Sequence, residues 1–269
     1  IADEHTTALE IGDEPMQFHQ KFPDVTIAVG EERAVAIPQL LHDKPETEVI
    51  ILDDAFQHRQ VEAGFNIMLT DYSNLYTRDF ILPAGDLRDV RSSSKRADII
   101  IVSKNKPTLD ETEKKKIIAE INPSIDQSVF FTTIIYGTSY HLFTKKNIDI
   151  TPQHDILLVC GIANPAPLKA HLNQHANSYD LLRYPDHHIF HSNDLKDIKE
   201  QFEKIKAENK IVLTTEKDAV RLEKFESELK DFPLYVLPIQ HSFLFGEENK
   251  FKDLVTSFIN GFNKLNQNK

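Results

Sequence analysis

Short apolar runs alternate with stretches of helical spacing along most of the chain. Residues 25–29, 48–52, 65–71 and 97–102 are compact, rich in β-branched side chains and bounded by polar turns. Such runs predict strands buried on both faces. Residues 13–22, 110–121 and 195–209 predict helices. Strands separated by helices imply a parallel sheet with both faces covered, and in such sheets ligands sit at the carboxyl ends of the strands.

The texture changes near residue 127. Residues 128–136 and 139–143 predict a two-stranded ribbon turning at Gly137, and a second β/α series follows with strands at 155–160, 210–214 and 234–238. These patterns predict two domains, 1–126 and 127–269. The polar tail, 263–269, is expected to fray.

Composition narrows the class. The 269 residues are 40% hydrophobic and 27% charged, as in ordinary globular proteins. A net charge of -11 disfavours nucleic acid and anionic lipid as nonspecific partners, unless basic residues cluster locally. Cys160 is the single cysteine, so an intrachain disulfide is excluded and a reducing compartment is expected. No run approaches the roughly 20 apolar residues that span a bilayer. The chain begins at Ile1 rather than Met, and its natural start is expected to lie upstream.

Five strings could carry chemistry. EVIILDDAFQHR, 48–59, runs an apolar strand into Asp53 and Asp54, which suits a carboxylate holding magnesium beside phosphates. Carboxylates capping the next helix are the structural alternative. Gln57, His58 and Arg59 could bond phosphate or sugar, or form a solvated turn. IGDEP, 11–15, puts Asp13 or Glu14 at a helix start, with Pro15 expected at the first helical position. Either carboxylate could act as a base or near a metal, or simply cap the helix.

YPDHHIFH, 184–191, offers a metal site, an acid/base histidine oriented by a carboxylate, or a polar surface loop. LPAGDLRD, 82–89, places Arg88 after a Pro/Gly turn, with Arg91, Lys95 and Arg96 close behind. They could neutralise phosphate or form an exposed helix face. GIANP, 161–165, and TTEKDAVRL, 214–222, each follow a strand, where Asn164 and Thr215 suit helix caps.

In this order and spacing, GDEP, ILDDAFQHR, LPAGDLR, GIANP, PDHH and TEKDAVRL resemble the tetraacyldisaccharide 4'-kinase family over nearly the whole chain. The resemblance implies an α/β fold: a P-loop-type parallel-sheet core, N-terminally incomplete, and a second, smaller α/β domain joined by the β-ribbon. It implies transfer of the γ-phosphoryl of ATP, with Mg²⁺, to the 4'-hydroxyl of a lipid A disaccharide 1-phosphate precursor. The enzyme would sit peripherally on the cytoplasmic face of the bacterial inner membrane. By resemblance Asp13 is the catalytic aspartate and Glu14 its neighbour, Asp53 and Asp54 hold the metal, and His58 and Arg88 line the site. The partner of Asp13 is His187 or His188, with His187 preferred because it directly follows Asp186.

Ala55 and Asp86 stand where the family usually has Gly and Pro. No GxxxxGK[ST] occurs among the eight glycines, so this chain alone is expected to have little kinase activity. With Asp13 and the histidines on opposite sides of the boundary near 127, the two domains are expected to close around the pair. Two other readings remain: a metal-dependent phosphoesterase built on DHH and the paired aspartates, and a non-catalytic binding module.

Overall fold

The computed structural model describes residues 1–267. In chain order its elements are α1 (Ala8–Ile11), α2 (Asp13–Lys21), α3 (Arg33–Asp43), β1 (Ile67–Asp71), β2 (Ile99–Asn105), α4 (Glu111–Ile121), β3 (Ser128–Tyr136), β4 (Ser139–His141), β5 (Asn147–Ile148), β6 (Asp155–Cys160), α5 (Ala166–His175), β7 (Ser178–Arg183), α6 (Ser192–Lys204), β8 (Lys210–Thr215), α7 (Glu216–Leu222), α8 (Glu226–Leu229), β9 (Leu234–Leu237), β10 (Ile239–Phe243) and α9 (Glu248–Gln267). They fall into two compact units. One joins Ile1–Val29 to Tyr136–Ile239, and the other joins Gly30–Ile135 to the segment from Gln240 onward.

The first unit is built on a six-stranded sheet of order β5-β4-β9-β8-β6-β7. β7, β6, β8 and β9 run parallel, while β4 and β5 are antiparallel additions at one edge. Alternation in β6 feeds both faces: Leu157 and Val159 pack with Phe190, Leu195, Ile198 and Phe202, and Ile156, Leu158 and Cys160 pack with Leu168 and Leu172. Leu195, Ile198 and Phe202 are the buried positions of α6, one stripe at helical spacing. Burial pushes the Cys160 thiol up to about 11, so it acts as a small apolar side chain.

The second unit carries a four-stranded sheet of order β1-β2-β3-β10, with β1, β2 and β3 parallel. Ile100 and Val102 pack with Ile117 and Ile121 of α4, while Ile99, Ile101 and Phe130 pack with Phe251, Leu254 and Val255 of α9. α4 starts where the Asp110 carboxylate accepts the Glu113 N–H, and ends at Asn122 in the left-handed conformation.

Several expectations change. The runs 25–29 and 48–52 form no strand. No neighbouring strand covers them, and Val25, Val29 and Ile51 are 54%, 54% and 90% exposed. Segments 128–136 and 139–143 do not make a ribbon: β3 pairs with β2, whereas β4 pairs with β5 and β9. A single cut near 127 is replaced by crossings at 29/30, 135/136 and 239/240, which leave units of comparable length instead of a smaller second domain. The helix from Glu248 continues through Gln267, into the tail expected to fray; Asn268 and Lys269 lie outside the described residues.

Candidate active site

The GDEP string makes the start of α2. Gly12 caps it at φ 91°, a conformation that favours glycine, and Asp13 is the first helical residue. Pro15 falls third rather than first, still within the turn whose N–H groups have no helical partner. The Asp13 carboxylate thus sits at the positive end of the helix dipole. Helix α2 packs on α7. That helix is capped by Thr215, whose hydroxyl accepts the Asp218 N–H at 3.2 Å, and it delivers Arg221 to Asp13. Arg221 Nε donates to Asp13 Oδ1 at 2.5 Å, and its Nη2 donates to Oδ2. Both side chains are largely buried, 7% and 10% exposed.

PDHH follows β7 in a loop where His187 takes φ 59°. His187 Nδ1 lies 3.1 Å from Asp13 Oδ2 and 3.0 Å from Arg221 Nη2. On the other side of the ring, Lys217 Nζ is 3.0 Å from His187 Nε2 and donates to Asp186 Oδ1 at 2.9 Å. His188 is otherwise engaged. Its ring stacks on Tyr184 at 4.6 Å, and its Nε2 meets Asp194 Oδ2 at 3.0 Å. Of the two adjacent histidines, His187 is therefore the one that reaches Asp13. Both belong to the first unit, because residues 1–29 pack with 136–239; no closure of separate domains is needed to join them.

The GIANP turn supports this loop from below. The Gly161 N–H donates to Asp218 Oδ2 at 3.0 Å. A Cβ on Gly161 would meet the Pro185 carbonyl at 2.8 Å and Asp218 Oδ1 at 3.0 Å. Asn164 Oδ1 accepts the Ala166 N–H at 3.0 Å, although Pro165 is the residue at the cap of α5. Burial raises the Asp13 carboxyl, but the Arg221 hydrogen bonds and charge, then those of His187, outweigh it and hold it below the ordinary range. Asp186 is likewise lowered, chiefly by Lys217. Asp218, fully buried, is pushed up by desolvation.

The other sequence candidates lie in the second unit. Asp53 and Asp54 are exposed at the end of the 48–52 run, with Asp54 at φ 45°. Arg88 Nη1 donates to Asp54 Oδ2 at 2.5 Å, joining two of the expected site residues. Arg59 and Arg96 converge on Asp89 at 2.9 and 3.0 Å, and the Arg59 hydrogen bond leads in lowering that carboxyl to about 2. His58 lines a surface groove with Arg33, Gln57 and Arg59. Glu14 is exposed and belongs to the first unit.

Among the described residues, no three His, Cys, Asp or Glu side chains are grouped to hold a metal ion. The metal cluster that the phosphoesterase reading requires is not formed by them. Sequence reasoning passed over Arg221 and Lys217, which it read only as part of a capped helix. Their spacing of four, on one face of α7, was the available signal.

Comparison with known proteins supplies the class: the chain is a kinase. A family model, LpxK, tetraacyldisaccharide-1-P 4'-kinase, matches residues 1–260. The tetraacyldisaccharide 4'-kinase of Bacteroides thetaiotaomicron is 41% identical over 274 aligned positions, covering 96% of this chain and 72% of that protein. That of Flavobacterium johnsoniae is 42% identical over 250, covering 93% and 71%. Among solved structures, LpxK from Aquifex aeolicus in complex with ATP shares the fold at a TM-score of 0.67 and 22% identity, over 95% of this chain and 71% of that one. This chain belongs to the tetraacyldisaccharide 4'-kinase family.

Proposed function

We propose that the protein transfers the γ-phosphoryl of ATP to the 4'-hydroxyl of a tetraacyldisaccharide 1-phosphate in lipid A synthesis. The observation that carries this reading is the 3.1 Å approach of His187 Nδ1 to Asp13 Oδ2 in a member of this kinase family. The sugar oxygen attacks the γ-phosphorus in line, the bond to the β-phosphate oxygen breaks, and ADP leaves. Asp13 orients the hydroxyl and accepts its proton. His187 holds the carboxylate and tunes its basicity.

Asp53 and Asp54 fit Mg²⁺. They offer hard carboxylate oxygens at an exposed turn, where Asp54 Oδ2 is bonded to Arg88. Mg²⁺ is commonly held by one or two carboxylates, with water and phosphate oxygens completing its shell. When bound, the ion would supply neutralising charge at the β- and γ-phosphates. Arg88, held by Asp54, would steady phosphate charge, with Glu14 and His58 serving the nucleotide.

Phe80, Ile81 and Leu82 stand 63%, 48% and 58% exposed in the loop that leads to Arg88, and suit the acyl chains of a lipid substrate. No helix among the described residues is long and apolar enough to cross a membrane. Peripheral association with the cytoplasmic face of the inner membrane accords with an acylated substrate.

The test is phosphoryl transfer from γ-labelled ATP to the tetraacyldisaccharide in the full-length enzyme. Label at the 4'-position is expected, and Asp13→Asn should reduce its appearance by roughly 10²-fold or more. Undiminished transfer by Asp13→Asn overturns the base assignment.

A further inference from the structure

We propose that Lys217 and Arg221 form a positioning clamp on one face of α7 that sets both the charge of Asp13 and the tautomer of His187. The proposal rests on the reading of Asp13 and His187 as the proton-accepting pair.

A carboxylate offers about four acceptor positions. In Asp13, Oδ1 accepts from Arg221 Nε, while Oδ2 faces both Arg221 Nη2 and His187 Nδ1. The position left over is on Oδ1, and it is the one available to a substrate hydroxyl. Arg221 cannot swing away, because its Nη1 also donates to the His188 carbonyl at 3.0 Å and its side chain is 7% exposed. A fixed guanidinium has a second effect. An incoming polyphosphate would favour protonation of Asp13, and the bound cation opposes that, so the acceptor stays ionised.

Lys217 acts on the histidine. An ammonium has three donors and no acceptor, so at 3.0 Å from His187 Nε2 it makes that nitrogen the acceptor. His187 Nδ1 faces Arg221 Nη2 at 3.0 Å and Asp13 Oδ2 at 3.1 Å, and of these only the carboxylate can accept a hydrogen bond. A ring whose Nε2 accepts from Lys217 therefore carries its proton on Nδ1, toward Asp13 Oδ2. Asp186, bonded to the same ammonium, fixes Lys217 in place. The charged and titratable groups facing Asp13 are Arg221 and His187, with Lys217 and Asp186 beyond the ring. The Lys21–Glu216 ion pair and the Gln20–Glu223 hydrogen bond tie α2 to α7 on either side.

The experiment measures kcat, KM and the pH profile of the full-length enzyme with Arg221→Ala, Arg221→Lys, Lys217→Met and Lys217→Met/His187→Ala. Arg221→Ala should cut kcat by roughly 10²-fold and move the acid limb of kcat to higher pH by about one unit or more, with KM values little changed. Arg221→Lys should recover part of both. Lys217→Met should cost about 10-fold, and Lys217→Met/His187→Ala should be no worse than His187→Ala. An unmoved acid limb in the folded Arg221 variants, or full additivity of Lys217→Met with His187→Ala, overturns the clamp. If Arg221→Ala does not fold, Arg221→Lys and the Lys217 cycle decide. Loss of the base reading itself shows differently, as wild-type kcat in Asp13→Asn.

Discussion

His187 Nδ1 and Asp13 Oδ2 lie 3.1 Å apart across 174 positions of sequence. The contact needs two local devices. Gly12, at φ 91°, turns the chain so that α2 opens on Asp13, and a left-handed His187 lifts its ring out of the PDHH loop. α7 joins the two by holding Asp13 through Arg221 and His187 through Lys217. Asp13 and His187 arrive in contact because both helices and the loop belong to the same unit.

His187 and His188 should separate cleanly on substitution. His188 is bonded to Asp194 and stacked on Tyr184, so His188→Ala removes packing and one charge-assisted bond. A loss of about 1–3 kcal/mol of stability is expected in denaturant titration, with kcat within a few-fold of wild type. A folded His188→Ala enzyme with turnover reduced as far as in His187→Ala would reverse the assignment.

Asp53→Asn and Asp54→Asn should raise the magnesium concentration needed for half-maximal turnover. Losing a metal-linked carboxylate costs several kcal/mol of transition-state stabilisation. Thermal unfolding should change little, because both side chains are exposed. Asp54→Asn also releases Arg88, so its effect should partly overlap with that of Arg88→Ala. Wild-type turnover at limiting magnesium in both aspartate variants would rule the metal assignment out.

Acid should weaken the fold between about pH 6.5 and pH 4 through His171. Burial holds this ring neutral, lowering it to about 4 from 6.5, and it stacks on His175 and lies tilted against Tyr136. In that window the unfolded chain binds the extra proton, so stability falls as pH falls. His241, also lowered by burial, acts in the same direction. Denaturant titrations across the window should show a shallower acid loss in His171→Gln, and an unchanged slope would count against the assignment.

If Phe80, Ile81 and Leu82 meet acyl chains, Phe80→Ser/Leu82→Ser should raise KM for the disaccharide several-fold while leaving KM for ATP near wild type. Their present exposure means that little folding energy is at stake. Equal effects on both KM values would point to a disturbed loop instead.

Much of the sheet was legible because its apolar runs are buried as their pattern requires. Strands at Ile67–Asp71, Asp155–Cys160, Lys210–Thr215 and Leu234–Leu237 fall where expected. Runs 25–29 and 48–52 have the same texture but no strand beside them, and a local pattern cannot report whether a partner exists. β7, with SYDLLR and a half-exposed pattern, was missed for the opposite reason: it is an edge strand with polar residues along it. Among the candidate residues, the family resemblance singled out Asp13, His187, Asp54 and Arg88, which lie in two contacting pairs, Asp13–His187 and Asp54–Arg88. Arg221 escaped because its partner is 208 positions away, and its spacing of four from Lys217 marks a shared helix face without showing what that face meets.

The most direct test of the account is a double-mutant cycle on Asp13 and His187 in the full-length enzyme, with metal content measured alongside. Asp13→Ala and His187→Ala should each lower kcat by roughly 10²-fold or more. If they serve one proton-accepting function, as proposed, Asp13→Ala/His187→Ala should be little worse than either single variant. Fully additive losses would contradict the shared role. Release of a bound transition metal by His187→Ala would favour metal-dependent hydrolysis over phosphoryl transfer from ATP.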